Sequence, residues 1–126
     1  MKPYRMIILI GAVVCLLAMV TTPALANKTS LRIEAPTEVS PGSTITITLH
    51  VMHNGNNLFH YTNWVRVSIN GTELQRWEFS RGNRPESENF TLTKTYTVSE
   101  PLEIVAEANC NLHGSAGPAF ATVKLK

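Results

Sequence analysis

Trp64-Val65-Arg66-Val67-Ser68-Ile69-Asn70-Gly71-Thr72-Glu73-Leu74-Gln75-Arg76-Trp77-Glu78-Phe79 is the stretch whose reading decides the fold. Two runs rich in β-branched and aromatic residues flank Asn-Gly, the strongest short-range hairpin signal, because a two-residue turn needs positive φ at both central positions. Strands are therefore predicted over Trp64 to Ile69 and Thr72 to Phe79. Upstream, Ser43 to His53 alternates strictly. Thr44, Thr46, Thr48 and His50 fall on one side, and Ile45, Ile47, Leu49, Val51 and His53 on the other, the pattern of a half-buried strand. Pro41-Gly42 supplies the turn that launches it.

Four more strands are predicted at Leu31 to Ala35, Phe90 to Val98, Leu102 to Ala108 and Phe120 to Leu125, the last following the turn-forming Gly117-Pro118. Seven short strands, joined by turns rich in Gly, Pro, Asn and Ser and with no helical period after residue 26, predict an all-β, antiparallel sandwich of immunoglobulin-like type. The disulfide of antibody domains is missing, since only Cys110 falls after residue 26. Loops gather at the ends of such a sandwich, and the two long ones here are Asn54 to Asn63 and Arg81 to Asn89.

Residues 1–26 read as a secretory signal peptide. Lys2 and Arg5 form the basic start, Met6 to Val20 the apolar run, and Ala24-Leu25-Ala26 the small-x-small cleavage site. That apolar run is short of the roughly 20 residues needed to span a bilayer, so no stable membrane anchor is expected after cleavage before Asn27. Val14 before Cys15 does not fit a lipoprotein anchor. The expected product is one exported domain, residues 27–126, periplasmic or secreted. Without Lys2 and Arg5, nine basic side chains balance nine glutamates. No basic cluster with interleaved aromatics is present, which argues against a nucleic-acid partner.

Chemistry concentrates in the histidines and in Cys110. Cys110 and His113 stand three apart with Gly114 at the bend, so a turn brings thiolate and imidazole to one cation. His53 ends a strand and His60 lies in the loop that follows. His50 points by alternation to the opposite face, among the threonines. Each histidine taken singly reads as a hydrogen-bonded loop or surface residue; the grouping is what points to a metal. Imidazoles with one thiolate suit iron, copper or zinc, and the lack of any aspartate argues against calcium. No methionine follows Cys110, which weakens a cupredoxin-like electron carrier. A closed zinc site from His53, His60, Cys110 and His113 also fits the donor set.

Cys110-Asn111-Leu112-His113-Gly114 resembles the C-N-x-H-G signature of superoxide reductases, the iron-binding domain of desulfoferrodoxin and neelaredoxin. His60-Tyr61-Thr62-Asn63-Trp64 is similar to their H-x-x-x-W segment. The resemblance implies an immunoglobulin-like domain with one mononuclear iron cycling between Fe2+ and Fe3+. It makes Cys110 the axial ligand and His53, His60 and His113 equatorial ligands. It also implies one-electron reduction of superoxide to peroxide, with electrons from an unidentified donor. The chain departs from the family at Ile33, where a lysine is expected, at Glu34, where a fourth histidine is expected, and at Asn54, where a proline is expected. The gap from His53 to His60 is one residue longer than usual. Glu34 or His50 then completes the site, or iron has four protein ligands. A binding module is the opposing reading. Leu31-Arg32-Ile33-Glu34-Ala35-Pro36, Val39-Ser40-Pro41-Gly42 and Asn70-Gly71-Thr72-Glu73-Leu74 resemble the Z-type subunit of periplasmic sulfur-oxidation complexes, which holds a carrier partner and does no chemistry itself.

Overall fold

The threonine and aliphatic alternation upstream of His53 becomes the middle strand of one sheet, and the Asn70-Gly71 hairpin becomes the edge of the other. The computed structural model describes residues 27–126, so the predicted signal peptide, residues 1–26, lies outside the described residues. The strands are β1 (Ser30–Glu34), β2 (Glu38–Val39), β3 (Thr44–Met52), β4 (Thr62–Ile69), β5 (Thr72–Glu78), β6 (Phe90–Thr97), β7 (Leu102–Cys110) and β8 (Ala119–Leu125). One sheet has the order β1-β3-β6 and the other β2-β8-β7-β4-β5. Neighbours pair antiparallel except β2, which runs parallel to β8. The architecture is an immunoglobulin-like sandwich.

All seven strands expected from the sequence form, with ends displaced by no more than two residues. The eighth, Glu38–Val39, is too short for a period-two pattern to reveal and is framed by Pro36 and Pro41. Asn70 and Gly71 take the positive φ values, 50° and 84°, that the hairpin turn demands.

Burial follows the alternation. Ile45, Ile47, Leu49 and Val51 of β3 sit in one core with Val65, Val67 and Ile69 of β4 and Ile104, Ala106 and Ala108 of β7. The threonines of β3 stay on the outer face, opposite those of β6: Thr44 faces Thr97, Thr46 faces Thr95 and Thr48 faces Thr93. Strand direction then places the functional end. The end of β3, the start of β4 and the end of β7 share one pole, with Ser30 opposite Met52, Phe90 opposite Val51 and Thr62 opposite Cys110.

Ile47 is fully buried at the centre of this core. Ile47→Ala is expected to lower the unfolding free energy by about 2–5 kcal/mol through lost transfer energy and a residual cavity. Phe120→Ala, at a side chain 73% exposed on β8, should change it by less than about 0.5 kcal/mol. Urea denaturation of both variants checks the contrast.

Candidate metal centre

The inward rows of the strands run on into the site. On β7 the inward residues Ala106 and Ala108 are followed by Cys110, and past the end of β3 the inward Val51 is followed by His53; both polar groups are buried. β4 needs a correction to join them. Its pairing with β7 shifts between Thr62 and Trp64, so Asn63 is the extra residue of a β-bulge. The bulge turns Thr62 inward, opposite Cys110, where strict alternation from Val65 would point it outward. Asn63 is held by a hydrogen bond from Asn109 Nδ2 to its Oδ1 at 2.8 Å.

After Cys110 the chain reverses at once. The Cys110 and Gly114 backbones exchange two hydrogen bonds, 2.9 and 3.0 Å, and Gly114 takes φ 83°, a conformation that a residue with a Cβ rarely adopts. This turn carries His113 back over the cysteine. The His113 backbone N–H donates to Cys110 Sγ at 3.4 Å, and His113 Nδ1 lies 3.7 Å from the same sulfur.

Three ring nitrogens converge on that sulfur. His60 Nε2 lies 3.2 Å from His53 Nε2 and 3.2 Å from His113 Nδ1. The donor atoms of His53, His60 and Cys110 all fall within 4.8 Å of one another. Hydrogen bonding alone satisfies this poorly, because a neutral ring nitrogen carries one lone pair or one proton and His60 Nε2 faces two partners. A cation bound at about 2.1 Å from nitrogen and about 2.3 Å from sulfur sets neighbouring donors roughly 3–3.5 Å apart. The two nitrogen–nitrogen spacings of 3.2 Å fall in that range and the 3.7 Å from His113 Nδ1 to Cys110 Sγ lies just above it; imidazoles with a thiolate suit iron, copper or zinc.

The shell around the donors fixes their orientation. Burial, followed by the nearby His60, pushes the His53 pKa below its ordinary value, so the ring stays neutral with a lone pair to give. Its Nδ1 contacts Thr62 Oγ1 at 3.3 Å, and Thr62 Oγ1 contacts Thr29 Oγ1 at 3.2 Å; both threonines are buried. Those contacts leave Nε2 for a metal. Asn111 clamps the two donor loops: Tyr61 N donates to Asn111 Oδ1 at 2.9 Å, and Asn111 Nδ2 donates to the Phe59 carbonyl at 3.0 Å. Gly55 is buried under the His60 ring. A Cβ there would lie 2.7 Å from His60 Cε1, so the ring occupies the space a side chain would need. Sequence reasoning missed Thr29, Thr62, Asn111 and Gly55, and only Asn111, inside the cysteine motif, carried a sequence signal.

His50 and Glu34 do not join the cluster. His50 Nε2 lies 2.6 Å from Glu34 Oε2 on the solvent face of the three-stranded sheet. Register is the reason: Ser30 pairs with Met52 at the metal pole, so Glu34, opposite Thr48, is carried about 13 Å away along the strand. The segment of β1 next to the donors is Thr29, not the Glu34 position expected to stand in for a histidine. Trp64 also lies outside the chemistry, with the guanidiniums of Arg66 and Arg76 at 5.3 and 5.2 Å from its ring.

This combination of a β-sandwich and a His/Cys cluster at one pole defines a metal-binding immunoglobulin-like domain. Residues 22–115, more than half of the chain, match the family model described as Desulfoferrodoxin, and the chain belongs to that family, whose domain binds a mononuclear iron. The superoxide reductase (neelaredoxin) from Ignicoccus hospitalis superposes with a TM-score of 0.68 at 22% identity, covering 86% of this chain and 90% of that one. A putative superoxide reductase from Thermotoga maritima gives 0.63 at 21% identity, covering 83% and 92%. The sulfur carrier protein SoxY from Chlorobium limicola f thiosulfatophilum gives 0.53 at 11%, covering 76% and 78%. At these identities the structural likenesses speak for the fold. No curated protein matches the sequence.

Gly55→Ala is expected to keep the fold and weaken metal affinity by roughly 10–100-fold, because the displaced His60 ring loses its alignment. Chelator competition, with thermal unfolding of the metal-free protein as control, checks it. The His50 hydrogen bond, reinforced by its charge, holds the Glu34 carboxyl below the usual carboxylate range. A depressed carboxylate stabilises above its unfolded pKa and loses that contribution as pH falls through its folded one. A Tm difference between wild type and Glu34→Gln should therefore be present at pH 6 and vanish in strong acid.

Proposed function

We propose that His53, His60, Cys110 and His113 hold one iron and that the protein reduces superoxide to hydrogen peroxide. The observation that carries this reading is the convergence of three ring nitrogens and one sulfur, supported by the family match. The names of the Ignicoccus and Thermotoga neighbours point the same way. The iron supplies the one-electron couple; one electron and two protons convert superoxide to hydrogen peroxide.

The chain's own residues do the rest. Cys110, buried and with a backbone N–H on its sulfur, would hold the iron through that sulfur, and a thiolate ligand pushes electron density toward its metal. Thr62 and the bulge at Asn63 hold the His53 ring in place. Ile33 lies where the family resemblance expects a lysine, but Lys28 lines the shallow recess beside His53 together with Asn54, Glu88 and Asn89. Lys28 is the one cation among the recess residues and Glu88 the one carboxylate, so the two charges offset each other there. The basic, apolar and small-residue pattern of residues 1–26 supports an exported setting for this chemistry. The sulfur-complex module does not account for the His/Cys cluster, and the cupredoxin reading lacks a methionine after Cys110.

Purified protein is expected to retain one iron per chain and, when oxidised, to show a thiolate-to-iron charge-transfer band that Cys110→Ser abolishes. Stopped-flow mixing of the ferrous protein with superoxide should oxidise it. A colourless zinc protein, or a ferrous protein inert to superoxide, would sink the reading.

A further inference from the structure

Residues 27–29 are built into the metal pole. Thr29 is fully buried, its backbone N–H donates to the Gly114 carbonyl at 3.3 Å, and its carbonyl accepts from the Ala116 N–H at 2.9 Å. Its hydroxyl contacts Thr62, which in turn contacts His53 Nδ1. One residue earlier, Lys28 lines the recess that His53 also lines. One earlier still, the Asn27 backbone hydrogen-bonds the His53 ring itself. The segment therefore runs across the donor cluster, pinned by a parallel bridge between Thr29 and Ser115 only two residues from Asn27.

That recess lacks a net positive charge, although the proposed substrate is an anion. Lys28 and Glu88 offset each other, and the other lining residues are uncharged. Glu88 acts on His53 through its charge, and its neighbour Asn89 accepts from the His53 backbone N–H at 3.2 Å, so the acidic wall is tied directly to a donor residue. One further cation would turn the balance. Ala24-Leu25-Ala26 places a cleavage site immediately before Asn27. Hydrolysis there splits the Ala26–Asn27 peptide bond with one water, leaving a carboxyl on Ala26 and an α-amino group on Asn27, mostly protonated at neutral pH.

We infer that the α-ammonium created at Asn27 is the cation that draws a small anion into the recess beside His53, so that the centre gains its working charge only when the leader is removed. The inference rests on the functional reading above, which makes that anion superoxide. The recess then carries Lys28 and the ammonium against Glu88, a balance of one positive charge at a site walled by protein, where a fixed charge raises the local concentration of an anion. Before cleavage the same nitrogen is a neutral peptide amide, and the two side-chain charges cancel.

The test compares two full-length chains, exported, processed, loaded with iron and oxidised. Wild type should have the mass of a chain that begins at Asn27. The second chain carries Gly-Ser inserted between Ala26 and Asn27, so that cleavage leaves the ammonium two residues farther from His53. Azide, a small anion that binds ferric iron, is titrated into both and followed by the shift of the charge-transfer band. The extended protein should bind azide about fivefold more weakly, and the difference should shrink as salt rises. Glu88→Gln in the extended protein should bring the affinity back to within about twofold of wild type, a rescue that a merely structural role of Asn27 would not give. Equal azide affinity in the two chains overturns the inference, as does a first residue other than Asn27 or a failure of Glu88→Gln to rescue. An extended protein that loses iron, or whose band moves before azide is added, also overturns it, because the amine would then be a ligand and not a charge acting through space. Oxidation of the ferrous protein by superoxide is read separately; its failure removes the functional reading and leaves the azide comparison to decide the ammonium.

Discussion

The structure depends on one constraint, the inward-facing rows of side chains that the two sheets press against each other. Period two sends Ile45, Ile47, Leu49 and Val51 into the core from one side and Val65, Val67, Ala106 and Ala108 from the other. The same rows, continued past the strand ends, deliver His53 and Cys110 to a common point. The candidate centre is thus the polar end of the core. Anything that slipped the register of β3 or β7 by one residue would turn a donor out to solvent and expose the whole aliphatic row.

Gathering these groups has a physical cost that shapes their surroundings. Two of the donor residues are buried, and His60 Nε2 faces two other ring nitrogens although one nitrogen offers a single lone pair or a single proton. Hydrogen bonds from the loops offset part of this: Thr29 to Thr62, Thr62 to His53, and Asn111 between the loops. A cation completes the compensation, which couples metal binding to the stability of this pole. The opposite pole, with the Asn70-Gly71 turn, carries no such cluster among the described residues and is free of that coupling.

The match to the desulfoferrodoxin family spans the His60 loop and the cysteine turn. It does not account for β1. Where the resemblance led to a glutamate in place of a histidine, the register takes Glu34 off to an exposed pair with His50. Gly55 lies between His53 and His60, and its missing side chain leaves room for the His60 imidazole. With Glu34 turned away, three ring nitrogens and one sulfur still come together at this pole, beside a glycine and two buried threonines that belong to no recognisable motif.

The sequence by itself pointed to seven of the eight strands and to a candidate ligand set in which His53, His60, Cys110 and His113 stood beside His50 and Glu34. Period two, the Asn70-Gly71 pair and the Cys110–Gly114 turn are local signals, set by backbone sterics and by the partition of apolar side chains from water. Glu38–Val39 escaped because two residues carry no period. Only the tertiary structure decided which polar residues the donors meet. The bulge at Asn63 turns Thr62 inward, the β1 register separates Glu34 from the metal pole, and the close approach of Gly55 to His60 spans no motif. Each of these is a contact between segments distant in the chain or a one-residue shift in pairing, and such relations leave no periodic trace in the residues that make them.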